Sequence, residues 1–279
     1  MSDPVFQTQY REEHIAVFEQ NYSLLRVGCV QESVIKGNTA VFLVSGSGGA
    51  TAVTRGSNGL IPYGTTDNTQ NSCTLSEKHA PFERTGFNIF ASQGDQKRIM
   101  QMGSVAVLNR DIDQVIIDQL DTATQDTGTA TTASLDLVIK SQVILGNAEV
   151  PIDEEDNMFA VISPAFRGYL MQTTEFASGD YVDVKPFNGP VRRMWRWMGI
   201  NWMTHPNLTG VGTPSEKCYM WHKNAMGHAA NSKEMEVEVD YDKKQAISWS
   251  RATLYHGAKL LQNTGIVQMI HDGSAYVAT

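Results

Sequence analysis

The segment from Ser45 to Arg84 most constrains how this chain can fold. It reads SGSGGATAVTRGSNGLIPYGTTDNTQNSCTLSEKHAPFER, rich in Gly, Ser, Thr and Asn and poor in large apolar residues. It cannot build a core of its own. Connections longer than about 15 residues are uncommon within a compact domain and usually carry function. The backbone is best satisfied by a two-stranded excursion, with Ala50–Thr54 going out and Ser72–Leu75 or Thr85–Ile89 coming back. An isolated two-stranded ribbon is marginal in water and needs something to pack on. A single copy of the chain need not supply that surface, whereas an arm resting on a second copy would have one. Deleting Gly48 to Cys73 should then leave a folded subunit that cannot assemble. The glycines at the base, Gly46, Gly48 and Gly49, lack the Gly-Lys-Ser/Thr ending of a phosphate loop and the spacing of a dinucleotide site. They do not form a Gly-x-Ser-x-Gly elbow either, and are read as a loop base.

After this segment comes the longest periodic stretch, Asp95 to Thr122. At the helical period Met102, Val105, Leu108, Ile112, Val115, Ile116 and Leu120 share one face. Arg110, Asp111, Gln114, Asp118 and Asp121 share the other. This pattern predicts an amphipathic helix about 40 Å long.

The rest of the chain alternates short elements. Gln9 to Arg26 predicts a first helix, helped by Glu12 and Glu13 near its start. Gln31 to Val44 reads as extended, with a turn at Lys36-Gly37-Asn38. Ser134 to Leu145 predicts a helix and Asn157 to Ser163 a short buried strand. Pro164 favours a helix start over Ala165–Gln172. Tyr181–Val184 and Val191–Trp202 are strand-like, and Tyr219–Ala230 reads as a helix rich in small residues. Glu234, Glu236, Glu238 and Asp240 alternate with Met235, Val237, Val239 and Tyr241, so this strand should have one acidic wet face and one buried face. Ala246–Tyr255 is the return strand, with Ile247, Trp249, Arg251, Thr253 and Tyr255 on one side. A last strand covers Ile266–Ile270.

Composition narrows the function. The 279 residues carry a net charge of -8, which argues against wrapping nucleic acid through a basic surface. No apolar run is long enough to span a membrane, and the polar N-terminus has no signal-peptide core. Cys29, Cys73 and Cys218 are too few and too scattered for a disulfide framework. Cys218, His222 and His228 are the nearest approach to a metal set, but His228 rotates off the predicted helix face and a fourth ligand is missing. Asp153 to Asp156 reads as a solvated acidic loop. In Val191 to Trp197 the tryptophans read as core or interface anchors and the arginines as partners of acids. No cofactor, catalytic group or metal is expected.

Read in order, these residues resemble the major capsid proteins of tailed bacteriophages, with the Hong Kong ninety-seven type fold. The likeness rests on Tyr22-Ser23-Leu24-Leu25-Arg26, the Gly-rich segment, the long helix, Glu149-Val150-Pro151 and Ser163-Pro164. It continues through Tyr169-Leu170-Met171, Trp221 to Gly227, the alternating hairpin, His256-Gly257-Ala258-Lys259 and Gly265 to Ile270. The resemblance implies an α+β fold in five parts. These are an N-terminal arm, helix and first strand (1–44), an extended loop (45–90) and a peripheral domain with a spine helix (91–130). An axial domain (131–230) and a peripheral hairpin with a C-terminal strand (231–279) complete it.

It also implies a structural, non-enzymatic role. Copies would form hexamers and pentamers and close into an icosahedral shell around double-stranded DNA, held by weak non-specific contact. Assembly would take place in the host bacterial cytoplasm, with a portal and a possible decoration protein. Because the chain starts directly at the arm, a separate scaffolding protein is expected. Contacts between copies are expected at Arg55, Tyr63, Glu77, Lys78, Arg84, Arg110, Asp118, Glu234, Glu236 and Glu238. Two alternatives compete: an encapsulin-like nanocompartment shell, and, remotely, a metal-dependent enzyme using Cys218, His222 and His228.

Overall fold

The computed structural model describes residues 20, 22–91, 95–177, 193–233 and 235–276. Most of the expected first helix, the strand at Tyr181–Val184 and Glu234 lie outside them. The described end of that first helix is a 3₁₀ turn, Leu25–Gly28, and not α-helix.

Seventeen regular elements follow among the described residues. They open with β1 (Val30–Val34), β2 (Thr39–Gly46), β3 (Asp67–Thr74), β4 (Ser76–Thr85), α1 (Gly86–Ala91) and α2 (Gln96–Leu120). Next come α3 (Leu135–Asn147), β5 (Met158–Ile162), α4 (Pro164–Leu170), α5 (Thr174–Ala177), β6 (Met194–Trp197) and β7 (Ile200–Thr204). The chain closes with β8 (Glu216–His222), β9 (Met226–Asn231), β10 (Glu236–Asp242), β11 (Ile247–Leu260) and β12 (Ile266–His271).

Two five-stranded sheets and one two-stranded ribbon organise the chain. In the first sheet β11 is the axis. Its residues Ile247–Thr253 pair with β10 and Ile247–His256 pair with β4, so β10 and β4 flank opposite edges. His256 pairs with both Ala230 and Ser76, which puts β9 on the same edge as β10. β9 and β10 follow one another along that edge, and β1 adds in parallel beyond β9.

The helix α2 packs across this sheet, over β11 and β4. Asp95 caps it by accepting from the Arg98 amide at 3.2 Å. Leu108, Ile112, Ile116 and Leu120 are buried, as the periodicity predicts, but Val105 and Val115 are half-buried, Met102 is 51% exposed, and Ile117, off the predicted face, is buried. Small residues make room beneath the helix: Ser248, Ser250 and Ala252 point into the interface from β11 and are buried. The other β11 row, Ile247, Trp249, Arg251, Thr253 and Tyr255, shares the opposite side and is less buried.

The second sheet runs β12-β8-β5-β7-β6, with β5 and β7 parallel. β5 is buried along its whole length, so it reads as a continuous apolar run, MFAVI. Ser163 caps α4 by accepting from the Phe166 amide at 3.1 Å, and Pro164 takes the first helical position. Trp195, Trp197, Trp202 and Trp221 fill this core, and Trp202 and Trp221 donate to the carbonyls of Trp197 and Gly28.

Several local expectations need correction. Tyr219–Ala230 is not helical. β8 ends at His222, a 3₁₀ turn spans Lys223–Ala225, and β9 begins at Met226 in the other sheet. A short apolar run buried on both faces has no period that separates helix from strand. Val191–Trp202 is a hairpin in its described part, turning at Met198 and Gly199, both with positive φ. The arm strands are β2 and β3. Ala50–Thr54 is not a strand, and Gly86–Ala91 is a helix.

Candidate functional site

The arm is built from β2 and β3, paired antiparallel from Thr39↔Thr74 to Gly46↔Asp67. Its root is anchored. Ala40, Phe42 and Cys73 form a small buried cluster with Ala229 of β9. Asn71 donates to the Leu261 carbonyl at 3.1 Å. A Cβ at Gly257 would stand 2.6 Å from the Thr74 carbonyl oxygen, so only glycine lets β11 approach the arm this closely.

Beyond the root the arm is bare. From residue 47 to 66 every residue is exposed, including Val53, Leu60, Ile61 and Tyr63, the last 96% exposed. Arg55 donates to the Gly59 carbonyl at 3.1 Å and helps to shape the tip. The β3 return strand is itself part of the root, because Cys73 is buried. A truncation that tests the arm must therefore spare β3.

The second surface is the β10 edge. Its cross-strand partners place Val237, Val239 and Tyr241 on the helix side of the sheet, opposite Ala252, Ser250 and Ser248. That side was expected to be buried. It overhangs α2 instead, and the three residues are 40%, 37% and 47% exposed. Glu236, Glu238 and Asp240 share the other face. Glu238 accepts from Arg251 at 2.6 Å and Glu236 pairs with Lys233 at 3.3 Å. Glu77 pairs with His79 at 3.0 Å on β4, and Arg84 is exposed near the end of that strand.

The polar face of α2 is partly used inside the subunit. Asp111 pairs with Lys78 at 3.5 Å and meets His256 Nε2 at 2.9 Å. Asp121, at the helix end where a carboxylate opposes the dipole, is met by Lys217 at 2.5 Å. Asp118 is exposed and accepts from Gln114 at 2.8 Å. Arg110 is half-buried. Lys78 is thus tied to its own subunit, whereas Arg55, Tyr63, Arg84 and Asp118 lie open.

Asp113 is a site that sequence reasoning missed. It is fully buried and accepts from Ser23 Oγ at 2.5 Å, from the Leu24 amide at 3.0 Å, from the Leu25 amide at 3.1 Å and from the Gln20 side chain. His205 Nε2 is 3.4 Å away. One carboxylate thus ties the N-terminal segment, the spine helix and the loop after β7. Burial works to raise its pKa, but the hydrogen bonds from His205, Ser23 and the two amides prevail and hold it below the usual carboxylate range. Its signal was its position three and four residues before Ile116 and Ile117, on the apolar side of the helix.

The three residues of the remote metal alternative, Cys218, His222 and His228, are not brought together. Cys218 lies beside His271, His222 beside Glu154, and His228 beside His256, with ring centroids 5.7 Å apart. The acidic loop is also more than solvated, because Arg196 pairs with Glu155 and Asp156 at 3.2 and 2.6 Å. Trp195 and Trp197 are core residues, as expected. Among the described residues no helix is long and apolar enough to cross a membrane.

Comparison with known proteins follows the same lines. A family model described as phage capsid protein matches residues 3–272. No curated protein sequence matches the chain. Among solved structures, one from Mycobacterium phage Che8 has a TM-score of 0.74 at 16% identity, covering 98% of this chain and 99% of that one. The capsid of Ralstonia phage GP4 has a TM-score of 0.71 at 11% identity, covering 97% and 95%. The capsid of cyanophage P-SCSP1u has a TM-score of 0.70 at 12% identity, covering 96% and 93%. At such identities the likeness is one of fold, and it extends over the arm, the spine helix and both sheets. The chain belongs to the phage capsid protein family and is a structural major capsid protein with the Hong Kong ninety-seven type fold.

Proposed function

We propose that copies of this subunit form hexamers and pentamers that close into an icosahedral shell around double-stranded DNA, with the arm of each subunit lying across its neighbour. The observation that carries this is the bare arm tip. Val53, Leu60, Ile61 and Tyr63 stand in water on a ribbon without a core. Each such side chain gains about 1.5–3 kcal/mol on full burial, enough to make a neighbouring subunit the natural resting place. The uncovered Val237, Val239 and Tyr241 on the β10 edge support the same reading. Closure of a shell makes many weak contacts intramolecular, so the whole is stable although each contact is modest.

The net charge of -8 suits a container whose wall must not grip DNA entering it. In this reading the part around the first sheet and α2 is peripheral and the part around the second sheet is axial. Arg55, Tyr63, Arg84, Arg110, Asp118, Glu234, Glu236 and Glu238 lie at contacts between copies. Assembly takes place in the cytoplasm of a bacterial host, with scaffolding, portal and decoration proteins as its partners.

The test replaces residues 48–65 by a short Gly-Ser turn joining β2 to β3. The variant should melt within a few degrees of the parent and sediment only as small species. Complete shells from it would refute the arm's role. Nuclease-resistant DNA inside parental particles recovered from infected cells is the second expected result.

A further inference from the structure

We propose that Glu216, Cys218 and His271 form a structural site for one zinc-class divalent cation. Glu216 and Cys218 are two residues apart on β8 and so share a face of the sheet, and His271 of β12 is the cross-strand partner of Glu216. The topology therefore places all three on one face of two adjacent strands. One donor atom from each lies within 4.8 Å of the other two. Cys218 Sγ is 3.9 Å from His271 Nδ1, and Glu216 Oε1 is 3.6 Å from His271 Nε2. Cys218 faces Nδ1 and Glu216 faces Nε2 of the same ring, so a cation held by one ring nitrogen requires the His271 ring to turn, and a water would take the fourth tetrahedral position.

The surroundings point the same way. All three residues are completely buried. Among the described residues Glu216 Oε1 and His271 Nε2 have no hydrogen-bond partner. An unsatisfied buried carboxylate oxygen is costly, and a cation removes that cost. The remaining contacts suit anionic ligands: the Ser163 amide donates to Cys218 Sγ at 3.4 Å, and the Gly212 amide donates to Glu216 Oε2 at 3.0 Å. Phe166 closes the pocket, edge-on to the imidazole with centroids 4.9 Å apart. Gly273 has no room for a side chain, because a Cβ there would collide with Glu216 Oε2. Thiolate, imidazole and carboxylate are the donors that zinc takes, and a site this enclosed would be structural, loaded as the subunit folds.

The experiment refolds the full chain from denaturant with Zn2+ or Co2+, removes loosely held metal with a weak chelator, and measures bound metal and the visible spectrum. The expected result is about one metal ion per subunit and a thiolate-to-cobalt charge-transfer band. Cys218→Ser should abolish the band, and Cys218→Ser and His271→Ala should each retain at least about tenfold less metal. His222→Ala and His228→Ala should retain it in full. A parental chain with no bound metal or no thiolate band overturns the site, whatever the variants do. So does equal retention in Cys218→Ser and His271→Ala, or loss confined to His222→Ala. In any of those cases Glu216 and His271 are a buried contact between β8 and β12 and not a metal site.

Discussion

Asp113 and His228 set how the subunit responds to acid. Asp113 holds its proton less tightly in the fold than in the open chain, so its contribution is present at neutral pH and is lost as pH falls through its lowered folded value. Asp113→Asn keeps the shape but leaves the donors of Ser23, Leu24 and Leu25 with a weaker acceptor. It should cost about 3 kcal/mol in urea unfolding at pH 7, with the gap to the parent narrowing in acid. Equal stability at pH 7 would refute the tie. His228 has the opposite wiring. Burial first, then His256 and Arg26, push its pKa down to about 3, so the fold holds it neutral. The unfolded chain takes up its proton near pH 6.5, and stability falls as pH drops from there toward 3, by up to about 1.4 kcal/mol per pH unit. His228→Leu should flatten that slope between pH 4 and 6, and an unchanged slope would assign the acid sensitivity elsewhere. The sequence placed Asp113 on the apolar side of the helix, but neither residue's partners were legible in it. Each depends on partners far away along the chain, such as the Ser23–Asp113 and His228–His256 contacts, and local pattern carries no such information.

At the scale of elements, the legible parts were those with a long unbroken period. The spine helix was placed to within two residues, because its apolar stripe repeats through the whole length and Asp95 caps it. The alternation in β10 gave strand type and the facing of Glu236 to Tyr241. It did not give burial, because Val237, Val239 and Tyr241 point toward the helix side but reach past the helix. β8 and β9 were misread for a physical reason: KCYMWH and MGHAA are buried on both sides, which erases the amphipathic signal. The arm was legible as an excursion without a core, though its strands, Thr39–Gly46 and Asp67–Thr74, begin earlier in the chain than the expected Ala50 and Ser72. The β10 overhang makes a prediction of its own. Val239→Lys should destabilise the isolated subunit by less than about 1 kcal/mol, since the residue is already 37% exposed, yet should block assembly. Thermal melts and sedimentation of the same preparation separate the two effects. A large loss of stability would mean that the edge is covered within the subunit.

The molecule joins two sheets and one long helix, rigid enough to be a building block, to an arm that the block cannot cover. Two short crossings between the sheets, at Lys223–Ala225 and Asn263–Gly265, and the longer one from β4 through α2 and α3 to β5 join the halves. Asp113 ties Ser23 and Leu24 to the spine helix, and the arm tip and the β10 edge each leave a run of apolar side chains bare. That distribution is what a closed shell of identical subunits requires: stable alone, satisfied only together. The most direct measurement is an electron cryomicroscopy reconstruction of a closed particle at side-chain resolution. It should show Val53, Leu60, Ile61 and Tyr63 of each subunit buried against a neighbour. A closed shell whose arm tips, residues 47–66, stand clear of every other subunit would contradict the account.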